Sequence, residues 1–101
     1  MQFLITAFDR KDSEALARRM SVREKHLEGV RTAKTEGKHL FGGAILDGDG
    51  KMTGSVMVVD YPSLEILKKE WLENDPYVTG NVWKEIDIKP FRIAEPFFTN
   101  K

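Results

Sequence analysis

The order of strand-like and helix-like segments is the feature that most constrains the fold of this chain. Apolar and β-branched runs predict four strands, at residues 2–8, 38–46, 52–61 and 82–93. Helical spacing predicts two helices. One covers residues 13–36, with Ser21 as a point of interruption, and the other is capped by Ser63 and ends at residues 74–76, before a proline. The order β-α-β-β-α-β is that of the ferredoxin-like fold, an α+β fold with one four-stranded antiparallel sheet.

Apolar residues are too widespread for two helices to bury them all. The predicted buried stripes are Leu16, Met20, Leu27 and Val30 in the first helix, and Leu64, Leu67, Trp71 and Leu72 in the second. The first strand is apolar on both faces, with Phe3, Ile5 and Ala7 on one and Leu4 and Phe8 on the other. Two helices cover only one face of a sheet. We therefore expect a homodimer that pairs through the uncovered sheet face.

Composition narrows the possible functions. The 101 residues are enough for one domain, predicted to span residues 1–101 with 94–101 as a tail that packs on a neighbouring subunit through Phe97 and Phe98. Sixteen basic and sixteen acidic residues cancel, so no global field favours nucleic acid or a membrane surface. Cysteine is absent, and the two histidines, His26 and His39, have no metal-ligand spacing. A cytoplasmic protein without metal or cofactor is expected, since no secretory signal or membrane-spanning run is recognised.

Two glycine-containing segments indicate turns or close approaches. Gly42 and Gly43 interrupt the second strand, which suggests a bulge or the near approach of a backbone or a ligand. The Asp47-Gly48-Asp49-Gly50 run predicts a hairpin turn, because it lacks the length and the later glutamate of a calcium loop.

One histidine and one aspartate are the candidates for chemistry. His26 lies with Arg19 and Arg23 along the margin of the first helix, and Asp75 follows the second helix. Imidazole titrates near neutral pH, and a carboxylate partner would fix its tautomer and make it a better base. The alternatives are a surface or half-buried histidine, an Asp-Pro turn whose carboxylate bonds to backbone amides, and arginines paired with Glu24 or other acids.

The chain resembles the YCII-related family of the dimeric α+β barrel group. The resemblance rests on motifs in order along the chain: Ala7-Phe8-Asp9, Arg19, Ser21-Val22-Arg23-Glu24-Lys25-His26-Leu27, Glu36-Gly37, Gly42-Gly43, Thr53-Gly54-Ser55, Asn74-Asp75-Pro76-Tyr77 and Ile88-Lys89-Pro90-Phe91. It implies a ferredoxin-like dimer whose active site centres on His26 and Asp75. Two features differ from many members: the short hairpin at residues 47–51, which bears on pocket shape, and the Phe97-Phe98 tail.

The resemblance also implies a class of chemistry. A member of the family is a dehydrochlorinase acting on a chlorinated hydroxyhydroquinone, and sister families include muconolactone isomerases and cofactor-independent monooxygenases. The expected substrate is therefore a small cyclic or aromatic oxygenated compound, and the expected reaction an isomerisation or elimination. Substrate-binding residues are expected at Arg19, Arg23, Gly43, Ser55 and Tyr77.

Two other hypotheses stay open from the sequence. The chain could be a dimer that binds a small ligand or a partner without chemistry, in which case His26 and Asp75 would lie far apart or His26 would face no cavity. It could also be a haem-using monooxygenase with His26 on the iron. His39 is predicted to be structural or exposed, and Trp71 to be a core residue.

Overall fold

The structure, a computed structural model, describes residues 1–94. Its elements in chain order are β1 (Gln2–Asp9), α1 (Ala15–Thr35), β2 (His39–Leu46), β3 (Met52–Asp60), α2 (Leu64–Glu70), a 3₁₀ turn (Leu72–Asn74), α3 (Pro76–Thr79) and β4 (Trp83–Phe91). The strands form one antiparallel sheet in the order β2-β3-β1-β4. This confirms the predicted α+β, ferredoxin-like fold. The predicted packing of Phe97 and Phe98 lies outside the described residues.

The helices cover one face of the sheet. In the β1–β3 pair, Phe3 lies opposite Val59 and Ile5 opposite Met57, and all four are buried in the core. Ala33 of α1 and Leu67 of α2 join the same core cluster. Side chains alternate between faces along a strand, so this register places the odd-numbered positions of β1 under the helices.

The opposite face is apolar near its centre. Leu4 and Val58 are paired there, and neither belongs to the core cluster beneath the helices. Leu4 is half-buried, and Phe8 on the same face is 42% exposed. β1 is therefore apolar on both faces, as predicted, and the described helices lie on only one of them. On the other face Val58 is fully buried and Leu4 is half-buried. None of the described helices is long and apolar enough to cross a membrane.

The predicted buried stripe of α1 is wrong in its first two turns. Leu16 is 38% exposed and Met20 is 51% exposed, while the buried residues of α1 are Arg19, His26 and Ala33. Arg19 is drawn to the sheet by the buried carboxylate of Asp9, at 2.8 Å. An apolar stripe cannot reveal this arrangement, because a buried arginine depends on a partner elsewhere in the chain.

The end of α1 follows its sequence signal, whereas the helix begins at Ala15 rather than at residue 13. Ser21 does not interrupt the helix, since its hydroxyl donates to the Arg18 carbonyl at 2.7 Å within a continuous run. Gly37 has φ +77°, which terminates the helix as predicted and lets the Lys38 amide donate to the Ala33 carbonyl.

The second predicted helix is shorter than expected. Ser63 caps it, accepting from the Ile66 amide at 3.1 Å, but α2 ends at Glu70 because Trp71 departs from helical geometry, with φ −124°. The predicted burial of Leu67, Trp71 and Leu72 is confirmed, whereas Leu64 is 40% exposed. The sequence did not predict α3, which begins at Pro76, a residue suited to the first helical position.

Candidate active site

His26 and Asp75 come together although 49 residues separate them in the sequence. Nδ1 of His26 lies 2.9 Å from both carboxylate oxygens of Asp75. Only 8% of the histidine side chain and 1% of the aspartate side chain are exposed. Helix α1 supplies the imidazole and the start of α3 supplies the carboxylate, so the pair ties two elements together.

Asp75 has a second role that holds its carboxylate in place. It is the N-cap of α3, and its Oδ2 accepts a hydrogen bond from the Tyr77 amide at 3.0 Å. The Asp-Pro turn chemistry considered from the sequence is therefore present together with the histidine contact. A capped carboxylate loses rotational freedom, and this preorganises it toward the imidazole.

Aromatic rings fix the plane of the His26 imidazole. The Tyr77 ring stacks on it with centroids 3.9 Å apart and an interplanar angle of 14°. Trp83 and Trp71 present edge-on contacts at 6.1 Å and 6.5 Å. Burial raises the pKa of the Tyr77 phenol, which keeps that ring neutral near neutral pH.

Arg19 is held by the protein on several sides. Its Nη1 donates to both carboxylate oxygens of Asp9, at 2.8 Å and 3.1 Å, and its Nη2 donates to Ser55 Oγ at 2.8 Å. Its guanidinium carbon lies 4.6 Å from the centroid of the Tyr77 ring. Burial raises the pKa of the Asp9 carboxyl, and the charge of Arg19 opposes that rise.

Asp9 is a site residue that the sequence reasoning missed, although a signal was present. Phe3, Ile5 and Ala7 alternate onto the helix-covered face, and extending that alternation by two places puts residue 9 on the same face. A carboxylate there requires a buried cation, and Arg19 provides it.

Ser55 is left with a proton to donate. Its oxygen accepts from Arg19 and, at 3.3 Å, from Trp83 Nε1. A hydroxyl has two acceptor lone pairs and one donor, so these two bonds leave the O–H as its remaining capacity.

A cavity of about 210 Å³ lies between α1 and the sheet. Its walls include six of the seven residues predicted for the site: Arg19, Arg23, His26, Gly43, Ser55 and Tyr77. The seventh, Asp75, lies behind His26. The other lining residues are Leu27, Val30, His39, Gly42, Ala44 and Met57. The polar residues on these walls are arginine, histidine, serine and tyrosine, all of which can donate a hydrogen bond, so the cavity suits a ligand with anionic oxygen.

Arg23 is the arginine available for such a ligand. It forms no hydrogen bond or ion pair with another residue of the described part of the chain, and Glu24, its expected partner, instead accepts from Arg31 at 2.8 Å. Of the arginine–acid pairs considered from the sequence, Arg19 does pair with an acid, Asp9, but the pair is buried. Glu24 pairs with Arg31 on the exposed side of α1, and Arg23 acts on it only through its charge.

His39 was expected to be structural or exposed, and the structure shows that it is buried. It is 5% exposed and lines the same cavity as His26. The register of β2 against β3 shifts between His39 and Phe41. This bulge at residue 40 moves His39 to the face opposite Phe41, and nothing in the alternation of β2 could have predicted it.

Comparison with known proteins places the chain among relatives of similar length. A family model described as the YCII-related domain matches residues 1–92. Protein YciI of Escherichia coli O6:H1 is 34% identical over 98 residues, covering 91% of this chain and 97% of that protein. An uncharacterized protein of Haemophilus influenzae is 32% identical with the same coverage.

The fold is also similar to the solved structure of an enzyme. The 5-chloro-2-hydroxyhydroquinone dehydrochlorinase of Burkholderia phenoliruptrix AC1100, solved in complex with 2,5-dihydroxybenzoquinone, superposes with a TM-score of 0.81. The two sequences are 26% identical, and the match covers 94% of this chain and 97% of the dehydrochlorinase. This similarity supports a small-molecule enzyme.

Proposed function

Because the chain belongs to the YCII-related domain family, we propose that it is an enzyme in which His26 acts as a general acid/base oriented by Asp75. The observation that carries the proposal is the 2.9 Å contact between His26 Nδ1 and Asp75, at the wall of a cavity that His26 itself lines. The proposal includes no cofactor, since proton transfer by an imidazole requires none. The cytoplasmic location expected from the sequence is part of the same proposal.

The contact with Asp75 assigns different tasks to the two ring nitrogens. Nδ1 donates its proton to the carboxylate, and Nε2 is then the nitrogen with a free lone pair. Nε2 takes a proton from a carbon next to a carbonyl group of the substrate, and the C–H electron pair forms an enolate. Returning the proton at another carbon isomerises the compound, whereas loss of an adjacent leaving group completes an elimination. In both cases Asp75 stabilises the imidazolium that forms.

The cavity limits the size and charge of the substrate. An apolar cavity of about 150 Å³ is enough to bind benzene, so about 210 Å³ accommodates one substituted ring. The guanidinium of Arg23, which makes no ion pair within residues 1–94, and the Ser55 hydroxyl are suited to hold an enolate or phenolate oxygen. These features agree with the small hydroxylated ring bound by the similar dehydrochlorinase. We propose a small oxygenated cyclic compound as the substrate.

We also propose that two copies pair through the open sheet face. The half-buried Leu4 and Val56 lie on this face with the exposed Phe8, and the described helices pack on the other face. The edge toward β4 carries Glu85, Asp87 and Lys89 on the same face, which would supply polar contacts at the rim of an interface. Val56→Lys should convert the dimer to a monomer in light scattering after size-exclusion chromatography. A monomeric wild-type protein would contradict this part of the proposal.

The enzymatic role can be tested by a turnover screen. The compounds are hydroxyquinones, including 2,5-dihydroxybenzoquinone and chlorinated hydroxyhydroquinones, together with phenols and lactones. His26→Gln keeps an amide that can donate to Asp75 but has no basic nitrogen, so turnover should fall by about 10²–10⁴-fold with little change in melting temperature. Lys25→Gln, at an exposed neighbouring position of α1, is the matched control and should keep full activity.

Two outcomes oppose the proposal. A His26→Gln protein with wild-type turnover would remove His26 from the chemistry. Binding of the screened compounds without turnover of any of them would favour the alternative, a dimer that holds a small ligand and performs no reaction.

A further inference from the structure

His39 has a buried nitrogen without a hydrogen-bond partner. The side chain is 5% exposed, and its Nδ1 has no partner among residues 1–94. Buried polar atoms are rarely left unsatisfied, and those that remain so often mark functional sites. Neither the fold nor the proposed role of His26 explains why β2 carries an imidazole here.

The unpartnered Nδ1 indicates which nitrogen carries the proton. A neutral imidazole has one N–H and one lone pair. Buried N–H groups without a partner are rarer than buried acceptors that lack one. The tautomer with the proton on Nε2 therefore fits this environment better, since it leaves only a lone pair unsatisfied in the interior.

The Nε2 edge of the His39 ring lies beside Gly42. Nε2 lies 3.2 Å from the place where a Cβ on residue 42 would stand, and Met57 Cγ and the Val56 carbonyl oxygen lie 2.9 Å from it, so any side chain larger than that of glycine would press on the imidazole. Gly42 and His39 both line the cavity that contains His26. The bulge at residue 40 is what turns His39 onto this face of the sheet.

We propose that His39 binds an oxygen of the substrate through Nε2–H, as a neutral donor on the sheet wall of the cavity opposite the base on α1. This inference rests on the proposed function, because it assigns His39 to the same site. The oxygen is the one that gains negative charge when His26 removes the proton. A neutral imidazole can polarise such an oxygen without holding a charge of its own.

The surroundings of His39 agree with a neutral ring. Burial, with further contributions from the charges of His26 and Lys34, lowers its pKa to about 4. Asp75 acts in the opposite direction, with a smaller effect. His39 therefore stays uncharged near neutral pH.

The first test measures the tautomer directly in the wild-type protein without ligand. Because the chain has only two histidines, the ¹⁵N resonances of the rings can be assigned with His26→Gln and His39→Leu. The expected result is a neutral His39 with a proton on Nε2. A proton on Nδ1, or a cationic ring near neutral pH, would overturn the proposal whether or not a substrate is known.

The second test measures binding of 2,5-dihydroxybenzoquinone by titration calorimetry. His39→Leu removes the donor, and its Kd should rise about tenfold, the equivalent of one net hydrogen bond. His39→Gln keeps an amide donor and should recover most of the affinity. Failure of the wild-type protein to bind the compound, or equal binding by His39→Leu, would overturn the proposal.

The two proposals fail in different ways. His26→Gln tests the base through turnover, which should fall by about 10²–10⁴-fold, whereas the difference in Kd between His39→Leu and His39→Gln tests the donor. If no compound is turned over but His39→Leu weakens binding, the enzymatic proposal fails and the donor role of His39 stands.

Discussion

Because the imidazole of His39 is buried, the free energy of unfolding should fall in mild acid. Burial lowers its pKa from 6.5 to about 4, and the nearby His26 adds to this. The unfolded chain exposes the ring and binds a proton at pH values where the folded protein does not. The contribution of this group to stability is therefore complete above the unfolded pKa and is lost as the pH falls from about 6.5 toward 4.

The linkage relation gives the size of the effect. Between about pH 7 and about pH 5, a group with these two pKa values removes about 2 kcal/mol from the free energy of unfolding. The loss arises only because the unfolded state gains the proton first, so no structural change is needed.

Urea unfolding of wild type and His39→Leu at both pH values provides the assay. Leucine fills a volume similar to that of histidine and does not titrate. The carboxylates and His26 are present in both proteins, so their contribution to the pH dependence cancels in the comparison. The wild-type protein should lose about 2 kcal/mol more than the variant over this interval. Equal losses would refute the reasoning, because they would mean that His39 is already protonated, or solvent-accessible, in the folded protein.

Two further predictions concern the carboxylates of the site. Asp75→Asn keeps an oxygen for the helix cap but no longer selects the imidazole tautomer, so turnover should fall about a thousandfold or more. Asp75→Ala also removes the cap, so its free energy of unfolding should be ~1 kcal/mol lower than that of Asp75→Asn. Equal stability of the two variants in urea would contradict the capping role. Arg19→Met leaves a buried carboxylate unpaired and should cost about 3–5 kcal/mol in the same assay, whereas Arg18→Met breaks an exposed pair and should change little. A mild effect at Arg19 would show that this ion pair is not required for folding.

Much of the fold could be predicted from the sequence, because local patterns determine it. The alternation of β1, the Gly37 stop signal and the Ser63 cap are all read correctly from neighbouring residues. The ferredoxin-like order follows from the succession of elements. The length of α2 could not be predicted, since the chain leaves helical geometry at Trp71, well before the proline at 76.

Residues of the candidate site could be predicted only where they follow the regular alternation of their strand or the regular spacing of their helix. Asp9 continues the alternation of β1 and could have been identified. His39 could not, because the bulge at residue 40 reverses the face on which it lies. The buried face of α1 also depends on distant partners, since Asp9 and Asp75 draw Arg19 and His26 inward in place of the apolar Leu16.

The tautomer of His26 is the most direct measure of whether Asp75 prepares it to act as a base. A ¹⁵N-resolved spectrum of the wild-type protein near neutral pH reports the protonation of each ring nitrogen. We expect the Nδ1 of His26 to carry a proton shared with Asp75 and its Nε2 to be unprotonated. A proton on Nε2 with a bare Nδ1, or a spectrum unchanged by Asp75→Asn, would contradict the account.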